Sequence, residues 1–127
     1  MQLYVDYKIE VTNILTNYTS IDEIYFYSID ESFLDITESL NFFYPGIKNR
    51  YEQMSRIALD LQREILNKLG LYVTVGMGDN PLLAKLAMDN YAKHNQNMRA
   101  LIRYEDVPSK LWTLPKMTDF WGIGKRN

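Results

Sequence analysis

From Tyr25 to Ile36 the chain reads Tyr-Phe-Tyr-Ser-Ile-Asp-Glu-Ser-Phe-Leu-Asp-Ile, two apolar runs meeting around adjacent carboxylates. Residues 23–29 and 33–37 are rich in the aromatic and β-branched side chains that favour strands, and the acidic break between them reads as the tip of an antiparallel hairpin. Alternation along the first strand puts Ile24, Phe26 and Ser28 on one face and Tyr25, Tyr27 and Ile29 on the other. A continuing strand would point Asp30 and Glu31 apart. A turn brings them together, and hard divalent cations such as magnesium take oxygen ligands of this sort. An Asp-Glu pair in a turn is also an ordinary solvated feature. The chain contains its own control: Ser20-Ile21-Asp22-Glu23 repeats Ser28-Ile29-Asp30-Glu31, but follows polar residues 17–20 and reads as a loop entering the strand.

The remaining elements are arranged around that hairpin. Tyr4, Tyr7, Val11, Ile14, Leu15 and Tyr18 recur at spacings of three and four, which predicts an amphipathic helix over 3–17. Val5, Tyr7, Ile9 and Val11 alternate as a strand would. Residues 38–48, with Asn41, Pro45 and Gly46, read as a loop. Residues 49–69 read as a long helix with Met54, Ile57, Ala58, Leu61, Ile65 and Leu69 on one face and Gly70 as its stop. Leu71 to Gly78 reads as a strand whose glycines allow a close backbone approach. Asn80 and Pro81 then suit the cap and first position of another helix. Outside its apolar face that helix carries Lys85, Asp89 and Lys93, four apart, a spacing that also makes ordinary surface ion pairs. His94 lies among polar neighbours and reads as exposed. Residues 100–104 read as a final strand and 105–114 as a short helix.

The nine positions Tyr-Ser-Ile-Asp-Glu-Ser-Phe-Leu-Asp from Tyr27 to Asp35 resemble the catalytic palm signature of the Y-family translesion DNA polymerases, especially the bacterial UmuC (ImpB/MucB/SamB) type. Val75 to Ala87, Val-Gly-Met-Gly-Asp-Asn-Pro-Leu-Leu-Ala-Lys-Leu-Ala, is similar to the next palm motif, and Gly122-Ile123-Gly124 resembles the opening of the thumb's helix-hairpin-helix. The resemblance implies an α+β fold, a palm with a ferredoxin-like antiparallel sheet and helices on one face, truncated at both ends. Residues 1–116 would form the palm without its N-terminal strand, and 117–127 the start of the thumb. It also favours the helix over 3–17.

As to chemistry, the resemblance implies DNA-directed DNA synthesis past lesions, as in SOS-type damage tolerance. Asp30 and Glu31 would be the catalytic metal ligands for two magnesium ions, with manganese able to substitute. Lys93 would contact the triphosphate with Lys85 close by, and Gly122 and Gly124 would hold a DNA phosphate. Primer-template DNA and a deoxynucleoside triphosphate are the implied partners, with a sliding clamp or accessory SOS proteins as further candidates. The family's third carboxylate, its Tyr-x-x-Arg nucleotide clamp and its little finger are not found in this sequence, and Lys8 stands where the family commonly has Ser. The chain by itself is therefore expected to have little or no polymerase activity. Two alternatives stand beside this reading. A diguanylate-type cyclase shares the palm layout but would need a Gly-Gly-Asp/Glu-Glu-Phe tip, which is absent. A truncated or degenerate palm would persist as a non-catalytic interaction module.

Composition adds a charge asymmetry. The net charge is −2, yet residues 1–84 hold six Lys and Arg against twelve Asp and Glu, and residues 85–127 hold eight against four. An acidic metal-holding half beside a basic half suits phosphate chemistry. There are no cysteines, which excludes disulfides and thiolate metal sites. No run approaches the roughly 18 apolar residues of a membrane span, and no signal-like segment opens the chain, so one unexported, cytoplasmic domain is expected.

Overall fold

The computed structural model describes residues 1–6, 11–28 and 31–111. Its centre is a five-stranded sheet in the order β2-β3-β1-β4-β5. The strands are β1 (Gln2–Asp6), β2 (Ile24–Ser28), β3 (Glu31–Asp35), β4 (Thr74–Gly78) and β5 (Arg99–Ile102). The helices are α1 (Thr12–Leu15), α2 (Thr37–Phe43), α3 (Arg50–Leu69) and α4 (Pro81–Asn90). No helix among the described residues is long and apolar enough to cross a membrane.

The α+β class is the expected one, with differences in detail. The start of the predicted helix over 3–17 is instead the central strand, hydrogen-bonded to β3 on one side and β4 on the other. Leu3, Tyr4 and Val5 are all fully buried. Three consecutive buried side chains do not fit a helix with one core-facing stripe, whereas a central strand covered on both faces buries every position. Helical structure appears only in α1, and residues 7–10 lie outside the described part. Residues 37–43 form α2 where a loop was expected. Ile36 and Leu40, one turn apart, are buried in the core that includes α3, and Pro45 and Gly46 follow the helix without interrupting it.

The sheet is mixed rather than wholly antiparallel, because β4 and β5 run parallel. Parallel neighbours need a crossover, which α4 supplies. That crossover also puts helices on both faces. On one side Leu3, Val5, Leu34, Val75 and Met77 pack with Met54, Ile57, Ala58, Leu61 and Ile65 of α3. On the other, Tyr4 packs with Ala84 and Met88 of α4 and with Ala92.

The expected stop of α3 and start of α4 are met, but α4 ends at Asn90, so Lys93, expected on that helix, lies in the turn after it. The Asn49 side chain accepts the Tyr51 and Glu52 amides at 2.8 and 3.1 Å, and Gly70 adopts φ 69° just past the last turn. Asn80 caps α4 by accepting the Leu83 amide at 2.8 Å, with Pro81 at the first helical position. Gly76 and Gly78 let α4 lie directly on β4: a Cβ on Gly76 would sit 2.1 Å from the Ala84 carbonyl oxygen, and one on Gly78 2.5 Å from the Ala84 amide nitrogen. This close seating carries Lys85 toward the hairpin.

Candidate active site

β2 and β3 pair Tyr25 with Phe33 and Phe26 with Ser32, then Ser28 with Glu31, leaving Tyr27 as the extra residue of a bulge. Bulges re-aim side chains near a strand end. Here the Tyr27 ring lies 6.2 Å from that of Tyr4 and 5.8 Å from that of Phe33. Glu31 therefore opens β3 at the tip of the hairpin, as the sequence predicts. Asp30, its expected companion, lies outside the described residues, as do Gly122 and Gly124.

The neighbouring strand adds groups that were not singled out. β1 pairs Asp6 with Glu31 and Tyr4 with Phe33. Tyr4 and Asp6 are two residues apart and so share the face covered by α4. Directly opposed carboxylates repel, and two contacts offset this. The Tyr4 hydroxyl donates to Glu31 Oε1. Lys93 Nζ stands 4.0 Å from Asp6 Oδ2.

The two lysines approach from α4 and the turn after it. Lys85 Nζ donates to the Tyr4 hydroxyl oxygen at 3.2 Å and pairs with Asp89 Oδ2 at 3.4 Å. It also lies 4.8 and 5.1 Å from the ring centroids of Tyr4 and Tyr27. Lys93 Nζ is 3.7 Å from Asp89 Oδ1, so Asp89 sits between the two cations. Exposed ion pairs of this kind contribute little to stability, commonly below about 1 kcal/mol. What they do is hold two ammonium groups beside two carboxylates. Lys85, restrained by an ion pair, a hydrogen bond and two ring faces, is fixed more closely than Lys93, whose side chain is 44% exposed.

Burial first, and then the hydrogen bond to Glu31, push the Tyr4 phenol well above its ordinary pKa of 10.0. Around neutral pH it is a neutral donor linking Lys85 to Glu31. Three of the predicted residues, Glu31, Lys85 and Lys93, are thus assembled in one cluster, with Lys85 reaching Glu31 through Tyr4. The alternation of Tyr4 with Asp6 was the available signal for the two unpredicted members, hidden by the helical spacing of the same segment.

Among the described residues no group of three or more His, Cys, Asp or Glu side chains is arranged to hold a metal. What this part offers is a carboxylate pair, Glu31 and Asp6, all oxygen and suited to a hard cation, with Asp30 adjacent to Glu31 in the chain. Carboxylates beside fixed ammonium groups form an arrangement that can handle a phosphorylated substrate.

Comparison with known proteins gives the family. The family described as impB/mucB/samB matches residues 1–89. The chain is 38% identical over 126 residues to DNA polymerase IV 2 of Bacillus subtilis (strain 168), covering 99% of this chain and 28% of that protein. It is 36% identical over 126 residues to the putative UV-damage repair protein UvrX of the same organism, covering 99% of this chain and 27% of that protein. A solved Y-family DNA polymerase chimera superposes with a TM-score of 0.59 at 33% identity, over 76% of this chain and 24% of that one. The chain spans little more than a quarter of the length of the two curated relatives.

Proposed function

The chain belongs to the impB/mucB/samB family, and from that premise we propose that it is the palm of a Y-family DNA polymerase that copies damaged DNA. Residues 1–116 are the catalytic palm in this reading, and 117–127 open the thumb. The observation that carries it is the cluster of Glu31, Asp6, Lys85 and Lys93 on one face of the hairpin and its neighbouring strand.

The reaction is attack of a primer 3′ hydroxyl on the α-phosphorus of a deoxynucleoside triphosphate, with pyrophosphate leaving. Magnesium, when bound, would offset the charge that develops on the attacking and leaving oxygens. Asp30 and Glu31 are the proposed ligands, and the oxygen donor set fits that metal. Lys93, with its half-exposed side chain, is positioned to exchange its carboxylate contacts for triphosphate oxygens. Lys85 remains in place and adds positive charge beside the leaving group, where a preorganised cation lowers the barrier. Tyr4 keeps Glu31 and Lys85 in register by bonding to both. Primer-template DNA and deoxynucleoside triphosphates are the proposed substrates, and a clamp or accessory protein of the damage response is a proposed partner.

The test exploits the span shared with the relatives. Replacing the corresponding segment of the Bacillus subtilis DNA polymerase IV 2 with residues 1–116 is expected to give a chimera that extends a primer on a template. That extension should be lost on Asp30→Asn or Glu31→Gln. A folded chimera without extension, or one indifferent to both substitutions, would contradict the proposal.

A further inference from the structure

The outer edge of the hairpin is acidic and aromatic at once. Between Lys8 and Lys48 the sequence holds seven carboxylates and no Lys or Arg. Within this span β2 forms the edge of the sheet, bonded to β3 alone among the described strands. Along that edge Tyr25, Phe26 and Tyr27 are 64%, 49% and 52% exposed. Edge strands are ordinarily blunted by lysine, proline, a bulge or a covering element; β2 carries no Lys or Pro, and its bulge is confined to Tyr27 at the tip end. At its N-terminal end two clefts of about 400 and 550 Å³ adjoin, sharing Glu23 and Asp35 in their walls. Asp22 lines the first and Glu38 the second, and neither contains a Lys or Arg.

We propose that this edge docks an extended, basic segment of a partner protein, which adds a strand to β2 and sets Lys or Arg side chains against Asp22 and Glu23. Charge selects the occupant. Nucleic acid is repelled by the surrounding carboxylates. A second copy paired along β2 would set the same acidic edge, without Lys or Arg, against itself and leave Asp22 and Glu23 without a cation. A basic strand has neither difficulty. Its backbone would bond to the open edge while alternate side chains cover Tyr25 on one face and Phe26 on the other, the usual division of affinity and specificity in strand addition. The inference stands apart from the polymerase reading, since it uses no metal ligand and rests on Tyr25, Phe26, Asp22 and Glu23, while Tyr27 alone also touches Lys85.

The probe is a synthetic peptide, Lys-Lys-Val-Thr-Val-Tyr-Val-Lys-Lys, titrated into isotope-labelled protein and followed by amide chemical shifts. Shifts centred on Tyr25, Phe26 and Tyr27 are expected, together with binding that weakens as salt is raised. The counterpart peptide with Glu in place of Lys should not bind. Glu23→Lys, at an exposed position, should weaken the basic peptide by about tenfold or more, the scale of a like-charge contact across an interface. Phe26→Lys, which blunts the edge itself, should abolish the shifts while leaving the spectrum elsewhere unchanged. Shifts scattered away from β2, or affinity indifferent to Glu23→Lys, would overturn the proposal. So would a concentration-dependent dimer whose interface maps to β2, or displacement of the peptide from β2 by single-stranded DNA.

Discussion

Tyr4 is the residue on which the site turns: its ring packs under α4, its hydroxyl bonds to Glu31, and Lys85 rests against both its oxygen and its ring face. Tyr4→Phe keeps the packing and removes the hydroxyl, so denaturant unfolding should show a loss of about 1.5–3 kcal/mol, the usual range for a donor to a charged partner. Tyr4 also sets an alkaline limit. Burial, chiefly, raises its phenol above the ordinary 10.0, and Tyr18 is raised likewise by burial and its bond to Glu64. The unfolded chain therefore releases these protons first as pH rises. The stability they confer is complete below about pH 10 and falls above it, and the fall should be shallower in Tyr4→Phe and in Tyr18→Phe. Asp106 behaves in the opposite sense. The Arg103 guanidinium holds its carboxyl at about 2, below the ordinary 3.8, so its contribution is present above pH 3.8 and lost as pH falls through about 2. Asp106→Asn should flatten that part of an acid-unfolding curve, by about 1 kcal/mol after solvent screening. Glu31, Lys85 and Lys93 were singled out through the family resemblance, since their local spacing alone also reads as ordinary surface charge. Tyr4 and Asp6 were not, because a cross-strand neighbour is set by pairing register, which no local spacing reports.

At the scale of elements, the contact between α4 and β4 decides where the lysines go. Gly76→Ala would press a methyl into the backbone of α4, against the Ala84 carbonyl and the Met88 amide. Overpacking of this kind typically costs about 1–3 kcal/mol, and the upper end is expected because backbone cannot rotate aside. Thermal unfolding measures the loss, and the displaced helix should also shift the Lys85 side-chain resonances. By contrast Asn49→Ala, which removes only the α3 cap, should cost about 1 kcal/mol and leave Lys85 unmoved. The cap of α4, the glycine stop of α3 and the hairpin were readable because each depends on a few adjacent residues. β1 and α2 were misread for a common reason: spacing reports which residues want burial, while the surroundings decide whether strand or helix supplies it. For Leu3, Tyr4 and Val5 helices cover both faces of the strand. For Ile36 and Leu40 one turn of helix against α3 suffices. The parallel pairing of β5 with β4 was implicit in the strand-helix-strand order, but the resemblance to an antiparallel palm pointed elsewhere.

For the whole molecule, the sheet gathers an acidic hairpin and a basic helix face at one end, while the hairpin's outer edge presents acid and aromatic surface for a different partner. Because the chain spans little more than a quarter of DNA polymerase IV 2 of Bacillus subtilis, it is expected on its own to extend primers little or not at all; robust extension dependent on Asp30 would contradict this. Metal binding at the hairpin tip is the central claim. Its most direct test is a manganese titration followed by NMR line broadening, with and without a deoxynucleoside triphosphate, in the wild type and in Asp30→Asn. Manganese accepts the same oxygen ligands as magnesium and is paramagnetic. Broadening centred on Glu31 and its strand neighbours, strengthened by nucleotide and lost in Asp30→Asn, is the predicted result. Diffuse broadening that the substitution leaves unchanged would contradict it and make the chain a palm-shaped interaction module without an organised metal site.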